Sequence, residues 1–215
     1  MNQEAGRADR PRDDDALVDT LEHAQRLGFL GPGPVAVQIA HSRGFLRLAV
    51  DAPDRAVDLG SGGGLPGLVL AAAWPASTWL LLDANHRRTD FLADAVEALG
   101  LADRVQVSCQ RAEEAGRQPA LRGAADLVVA RSFAPPAVTA ECAAPLLRVG
   151  GYLIVAEPPG GQASRWPPAA LAALGLRPDA ATTAPSAFQR LVQETPCPDR
   201  FPRRTGIPSK RPLYH

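Results

Sequence analysis

Residues 57–74 read VDLGSGGGLPGLVLAAAW. An apolar lead-in ends at Asp58, glycines occupy positions 60, 62, 63 and 64, and Leu65-Pro66-Gly67 opens a run of small apolar residues. The pattern predicts a strand, a tight turn and then a helix from Pro66 to Trp74. A proline at the first helical position gives up an N–H that has no intrahelical partner there, and Pro75 ends the helix. Glycine has no Cβ and accepts positive φ, so a turn of this kind lets backbone approach a ligand closely at the start of a helix. A loop serving only packing has no use for so many glycines, each of which forfeits conformational entropy on folding.

Two registers of the turn fit two ligand classes. Counted from Gly62, the residues Gly62, Gly64 and Gly67 form G-x-G-x-x-G, the dinucleotide fingerprint, with Asp83 about 20 residues on as the ribose acid. Counted from Asp58, the stretch is D-x-G-x-G-x-G, the first motif of S-adenosylmethionine-dependent methyltransferases, with the same Asp83 on the ribose hydroxyls. Asp58 suits a ligand carrying an ammonium and a sulfonium and would repel a pyrophosphate. Pro66 also removes a donor that a pyrophosphate would use. Both points favour the methyl donor, and a nicotinamide cofactor stays as the outside alternative.

The surrounding chain alternates short apolar runs with helical segments. RAVDL and TWLLLD read as strands, and Phe91, Leu92, Ala95, Val96 and Leu99 form one helical face closed by Gly100. RVQVSC alternates with period two; ADLVVAR and GYLIVAE read as buried strands with a helix between them, and FQRLVQET as a final strand. Such alternation implies right-handed crossovers and a mostly parallel sheet covered on both faces, an α/β fold. Before it, Leu17, Leu21, Ala24 and Leu27 recur at helical spacing, and a second helix over 35–50 is interrupted by Gly44. The expected organisation is a disordered tail over 1–13, a helical segment over 14–54, a Rossmann-like domain over 55–195 and a basic, proline-rich tail over 196–215. That last tail is expected to be extended on the surface or disordered.

Bulk properties narrow the class. With 215 residues, 46% of them hydrophobic, the chain suits one sizeable domain, and its formal net charge of zero leaves any attraction to nucleic acid to a local patch. Cys109, Cys142 and Cys197 are odd in number and widely spaced, so neither a disulfide framework nor a metal site is indicated. Residues 1–15 lack an apolar signal core and no long apolar run occurs, so the expected compartment is the cytoplasm, with no membrane association.

The stretches DLGSGGGLPG, LLDANHRRTDFL, RAEE, ARSFA, GGYLIVAE and FPRRTGIPSKRPL stand in the order and spacing of the bacterial small-subunit rRNA guanine-N7 methyltransferase family (RsmG, or GidB), which the chain resembles over about residues 55–215. The LPG after the glycines and the Pro-Arg-Arg…Gly-x-Pro…Arg-Pro-Leu ending are far more specific than the glycine motif. The resemblance implies a class I methyltransferase sheet of seven strands, S-adenosylmethionine as cofactor, and a monomer acting on 16S rRNA in the small ribosomal subunit or an assembly intermediate. By position, Gly60 and Leu65 line the donor site, Asp83 holds the ribose, Ala112 and Glu113 flank the adenine, and Arg131 reaches in from the fourth strand to position the reactants. No residue is assigned as a catalytic base, because guanine N7 carries an in-plane lone pair and attacks without losing a proton. His41 and His86 are read as ordinary residues near the site. Arg200, Arg203, Arg204, Lys210 and Arg211 are the expected RNA contacts.

The chain departs from the family pattern twice. VAVQIAHSRGFLRLAV has His41, Arg43 and Arg47 where a Trp-x-x-Arg-His-like stretch is usual, and Glu157-Pro158-Pro159-Gly160 replaces a Lys-Gly after the fifth strand. An acid there would repel RNA phosphate or pair with a purine edge. A divergent enzyme acting on another RNA or a small molecule, and a non-catalytic RNA-binding module keeping the fold, are therefore the alternatives.

Overall fold

The computed structural model describes residues 10–160 and 163–214. Two helices, α1 (Arg10–Arg26) and α2 (Val35–Arg43), come first; α2 tightens into a 3-10 turn at Gly44–Arg47. The helix thus begins inside the segment expected to be a tail. Pro11 fits within its first turn because that N–H would have no partner. The rest of that expectation, residues 1–9, lies outside the described residues.

The sheet contains β1 (Arg55–Leu59), β2 (Thr78–Asp83), β3 (Val105–Cys109), β4 (Ala125–Ala130), β5 (Leu147–Ala156), β6 (Leu176–Thr182) and β7 (Phe188–Gln193), in the order β3-β2-β1-β4-β5-β7-β6. Pairings among β1–β5 are parallel, and β7 runs antiparallel to both β5 and β6. The crossovers carry α3 (Gly67–Ala73), α4 (His86–Ala98), α5 (Ala112–Ala115), α6 (Pro136–Ala143) and α7 (Pro168–Ala172). Strand β6 has no readable sequence signal, since Pro178 argues against pairing. It sits at the sheet edge, where a missing N–H is tolerated, with a register shift between Pro178 and Ala180.

Side chains alternate across each strand, so the sheet separates two cores. Under α1–α4, Leu21, Phe45, Leu68 and Leu92 pack on Leu81, Val129 and Ile154; under α5–α7, Leu146, Trp166 and Leu171 pack on Leu59, Leu82 and Val128. Asp58 has the parity of Ala56 and so projects into the first core beneath α3, where it is wholly buried. Between β1 and β4 the chain order reverses. In open α/β sheets, that switch point opens a crevice at the carboxyl ends of the strands.

The basic C-terminal segment turns back over α5 and α6. Arg122 donates to the carbonyls of Cys197 and Phe201 at 2.8 Å each, Phe201 joins the second core, and a short α8 (Ile207–Lys210) follows. Among the described residues, no helix is long and apolar enough to cross a membrane.

Candidate active site

The glycine turn is fixed by backbone. Gly60 and Ser61 donate to the Leu82 carbonyl at 2.8 and 3.0 Å, tying the end of β1 to the end of β2. Gly60 has φ +77°, and a Cβ there would stand 2.6 Å from the Phe133 ring. Gly67 is required for a different reason: a Cβ would meet Asp58 Oδ2 and Leu81 at 2.5 Å. That close approach lets the Gly67 N–H donate to Asp58 Oδ2 at 3.0 Å and anchors the start of α3. Asp58 Oδ1 is buried and has no hydrogen-bond partner among the described residues. Burial pushes the Asp58 pKa up to about 7, against the opposing Gly67 and Ser61 hydrogen bonds. Asp58 therefore supports the turn from below and does not line the cleft. A signal for this was present, because residue parity along β1 places it on the α3 side.

Asp83 ends β2 and remains 7% exposed. Its Oδ2 accepts from Gly62 N and its Oδ1 from Asn85 N, both at 2.9 Å, while Arg88 Nη1 lies 3.6 Å away. Asn85 caps α4 by accepting from Arg88 N. Gly60, Asp83, Ala112 and Glu113 meet around a cleft of about 260 Å3, with Phe133 and Ser209 completing its walls. Gly62 contributes to the site through its bond to Asp83. Gly64 and Leu65 pack behind the turn, and Leu65 belongs to the first core. Cys142 also borders the cleft; burial, followed by Glu113 and Glu141, pushes its thiol pKa up, so it presents a neutral wall. Glu113 Oε1 accepts from Gly206 N at 2.9 Å, which fastens the C-terminal segment beside the cleft.

Arg131, at the end of β4, lines a neighbouring cleft of about 300 Å3. Its guanidinium donates to Gln38 Oε1 at 3.2 Å and Ser42 Oγ at 3.5 Å, so α2 sets its direction. His41 lies in the same cleft, its pKa lowered by burial and then by Arg131, so the imidazole is neutral at pH 7. The two clefts share Ser132, Phe133 and Ala134. Ser132 has φ 55°, a left-handed conformation that costs a non-glycine residue about 1–3 kcal/mol and is typical of functional loops. The ARSFA stretch carried this loop in the sequence.

Of the five basic tail residues, Arg200, Arg204, Lys210 and Arg211 are exposed. Arg203 instead points inward. Its Nε and Nη2 donate to the two oxygens of the fully buried Glu141 at 2.8 and 2.6 Å, and its backbone N–H donates to Glu141 Oε1 at 2.9 Å. The Glu113 and Glu141 anchors could not be foreseen from spacing, since they lie 93 and 62 residues from their partners. Among the described residues, no cluster of three or more His, Cys, Asp or Glu is placed to hold a metal.

Sheet order, the β1–β4 crevice and the glycine turn define a class I methyltransferase fold. Solved structures agree at the level of fold: an O-methyltransferase from Bacillus cereus in complex with SAH has a TM-score of 0.62 at 16% identity, covering 83% of this chain and 91% of that one. A T. thermophilus 16S rRNA N2 G1207 methyltransferase in complex with AdoMet and guanosine has a TM-score of 0.50 at 24% identity, covering 74% and 40%.

The family is fixed by sequence. The model of rRNA small subunit methyltransferase G (GidB) matches residues 38–157, more than half of the chain, which belongs to that family. Ribosomal RNA small subunit methyltransferase G of Synechococcus sp. (strain WH7803) is 38% identical over 177 residues, covering 76% of this chain and 67% of the relative. The protein of that name from Moorella thermoacetica is 35% identical over 177 residues, covering 79% and 73%.

Proposed function

We propose that the protein transfers the methyl group of S-adenosylmethionine to N7 of a guanine in 16S ribosomal RNA. The observation that carries this reading is the crevice in which Gly60, Asp83 and Glu113 surround one space with the Arg131 cleft alongside. These residues fit the donor. Gly60 lets the turn pass close beneath the Phe133 ring on the cleft wall, and Asp83 retains lone pairs for two vicinal hydroxyls beyond its two backbone bonds. Ala112 and Glu113 take the purine end. Asp58, Gly62, Gly64 and Leu65 act through the shape of the turn.

The bound donor supplies an electrophilic methyl on a positively charged sulfur. The protein's part is orientation: the Arg131 cleft presents the guanine ring nitrogen edge-on, and holding two reactants in line lowers such barriers by up to about 7–11 kcal/mol. No side chain has to remove a proton from N7. Arg200, Arg204, Lys210 and Arg211 meet RNA phosphates, and the partner is the small ribosomal subunit or an assembly intermediate. Residues 55–195 form the catalytic domain of a cytoplasmic, monomeric enzyme, with 14–54 as its helical cover and 196–215 as its basic segment.

The test is to incubate the purified protein with methyl-labelled S-adenosylmethionine and, separately, 30S particles, naked 16S rRNA and a small-molecule extract. Label recovered as 7-methylguanosine from one rRNA position is expected. Label entering only the extract, or no RNA substrate, overturns the assignment.

A further inference from the structure

The acid that replaces a Lys-Gly after β5 lines the Arg131 cleft, yet its carboxylate is committed to partners within the protein. Glu157 has a side chain only 4% exposed, and both of its oxygens are engaged: Oε2 pairs with Arg165 Nη1, and Oε1 accepts from Trp166 Nε1 at 3.1 Å. Trp166 is buried in the second core, so Glu157 is fixed on one side and fixes Arg165 on the other. Arg165 keeps 31% of its side chain exposed. A carboxylate at the strand end thus holds, eight residues on, a cation on the wall of the Arg131 cleft.

Arg165 also borders a second cavity. A pocket of about 500 Å3 lies between the start of α6 and the C-terminal segment, floored by Pro135, Pro136, Val138, Pro212 and Tyr214. The hydroxyl of Tyr214 has no hydrogen-bond partner among the described residues. The pocket shares Pro136 and Arg165 with the Arg131 cleft, and Val138 and Ser209 with the donor cleft. One aromatic ring, Tyr214, between proline walls and with a guanidinium at the rim suits a flat aromatic ring joined to an anion: a nucleobase stacks on an aromatic side chain, and a guanidinium fork binds a phosphate.

Resting on the acceptor reading of the Arg131 cleft, we propose that this pocket holds the base of the nucleotide adjacent to the target guanine, and that Arg165, positioned by Glu157, binds the phosphate joining the two. Glu157 is a positioning residue here. The enzyme then recognises a dinucleotide step, and the guanidinium that meets the phosphate comes from the 3-10 turn at Ala163–Arg165 instead of from the strand end.

The experiment measures binding of a short, fluorescently labelled single-stranded RNA containing one guanosine by anisotropy, with S-adenosylhomocysteine present, so that no turnover is needed. Arg165→Gln is expected to weaken binding about 10-fold and to reduce the slope of log K against log salt by about 0.7, the value for one phosphate on a single strand. Arg165→Lys keeps that slope. Glu157→Gln weakens binding less, and the double variant is no weaker than Arg165→Gln alone, because Glu157 acts through Arg165. RNAs abasic on either side of the guanosine are compared with the intact one, and one of them binds about 5- to 160-fold more weakly, the range for loss of a stacked base.

Calorimetry with S-adenosylhomocysteine shows whether each variant keeps a formed donor site. Unchanged RNA affinity and salt slope in Arg165→Gln, or full affinity for both abasic RNAs, overturns the proposal. Additive losses in the double variant overturn the positioning role of Glu157. A wild-type protein that binds RNA in this manner but labels no rRNA refutes the proposed function while leaving the dinucleotide step standing.

Discussion

Replacing Arg203 with alanine tests the internal role the structure gives it. Glu141 sits on α6 with no exposed side-chain surface, and Arg203 supplies all three of its hydrogen bonds among the described residues, two from the guanidinium, one to each oxygen, and one from the backbone N–H. Arg203→Ala leaves a buried carboxylate with the Arg203 backbone N–H as its remaining donor. It also frees the Arg211 carbonyl, which accepts from Arg203 Nη2 at 2.7 Å. Hydrogen bonds to charged groups contribute about 1.5–3 kcal/mol each, and breaking a buried ion pair from one side costs about 3–5 kcal/mol. We expect a loss of about 3–5 kcal/mol, measured by urea denaturation at pH 7 and followed by tryptophan fluorescence. Arg203→Lys keeps the charge without the planar fork and falls between wild type and Arg203→Ala. Pairing Glu141→Leu with Arg203→Met recovers most of the loss, since removing both charges leaves nothing unpaired. A loss below about 1 kcal/mol in Arg203→Ala would refute the reasoning and return Arg203 to the RNA-facing set.

Asp83→Ala is expected to weaken donor binding by about 1–3 kcal/mol, measured by calorimetry with S-adenosylhomocysteine; unchanged affinity removes the ribose assignment. Asp58 has a folded pKa raised by burial to about 7, so the folded state holds more protons than the unfolded chain above about pH 4. Its contribution to stability is therefore present at low pH and lost as pH rises towards 7, by about 4 kcal/mol at 1.36 kcal/mol per pKa unit. Asp58→Asn should remove that decline from a series of denaturation curves between pH 4 and 8, and an unaltered slope counts against a proton on Asp58. With Arg203 turned inward, the four exposed basic residues of the C-terminal segment and Arg165 together predict a salt slope of about −3.5 for single-stranded RNA, its magnitude falling by about 0.7 for each of Arg200, Arg204, Lys210 and Arg211 changed to glutamine. A slope unaffected by all four changes places the RNA elsewhere.

Local signals carried most of the fold. The glycine turn, the period-two runs and the helical face of Phe91, Leu92, Ala95 and Val96 each act within about ten residues, and the structure puts strand, turn and helix where those patterns set them. Strand β6 was invisible because an edge strand tolerates Pro178, which no sequence rule distinguishes from a loop. In the site, Gly60 and Asp83 were legible in the glycine turn and the acid about 20 residues on, whereas Ala112 and Glu113 were placed by the family resemblance, the residues alone reading as a solvated loop. Asp58 was assigned to the ligand when its parity turned it under α3. Arg203 and Arg165 were opaque for another reason: whether a basic side chain meets solvent or a buried carboxylate depends on where Glu141 and Glu157 lie in space, and nothing in a run of arginines encodes that.

The hydrogen bond from Gly206 to Glu113, with Ser209 facing the same hollow, gives one small volume two owners. Any free energy by which a filled hollow firms the hold on Gly206 must reappear, with equal size and sign, as a change in the hollow's affinity when RNA steadies the neighbouring arginines. On the proposed RNA contacts, a donor that tightens the hold on Gly206 raises RNA affinity by the same factor as RNA raises the donor's.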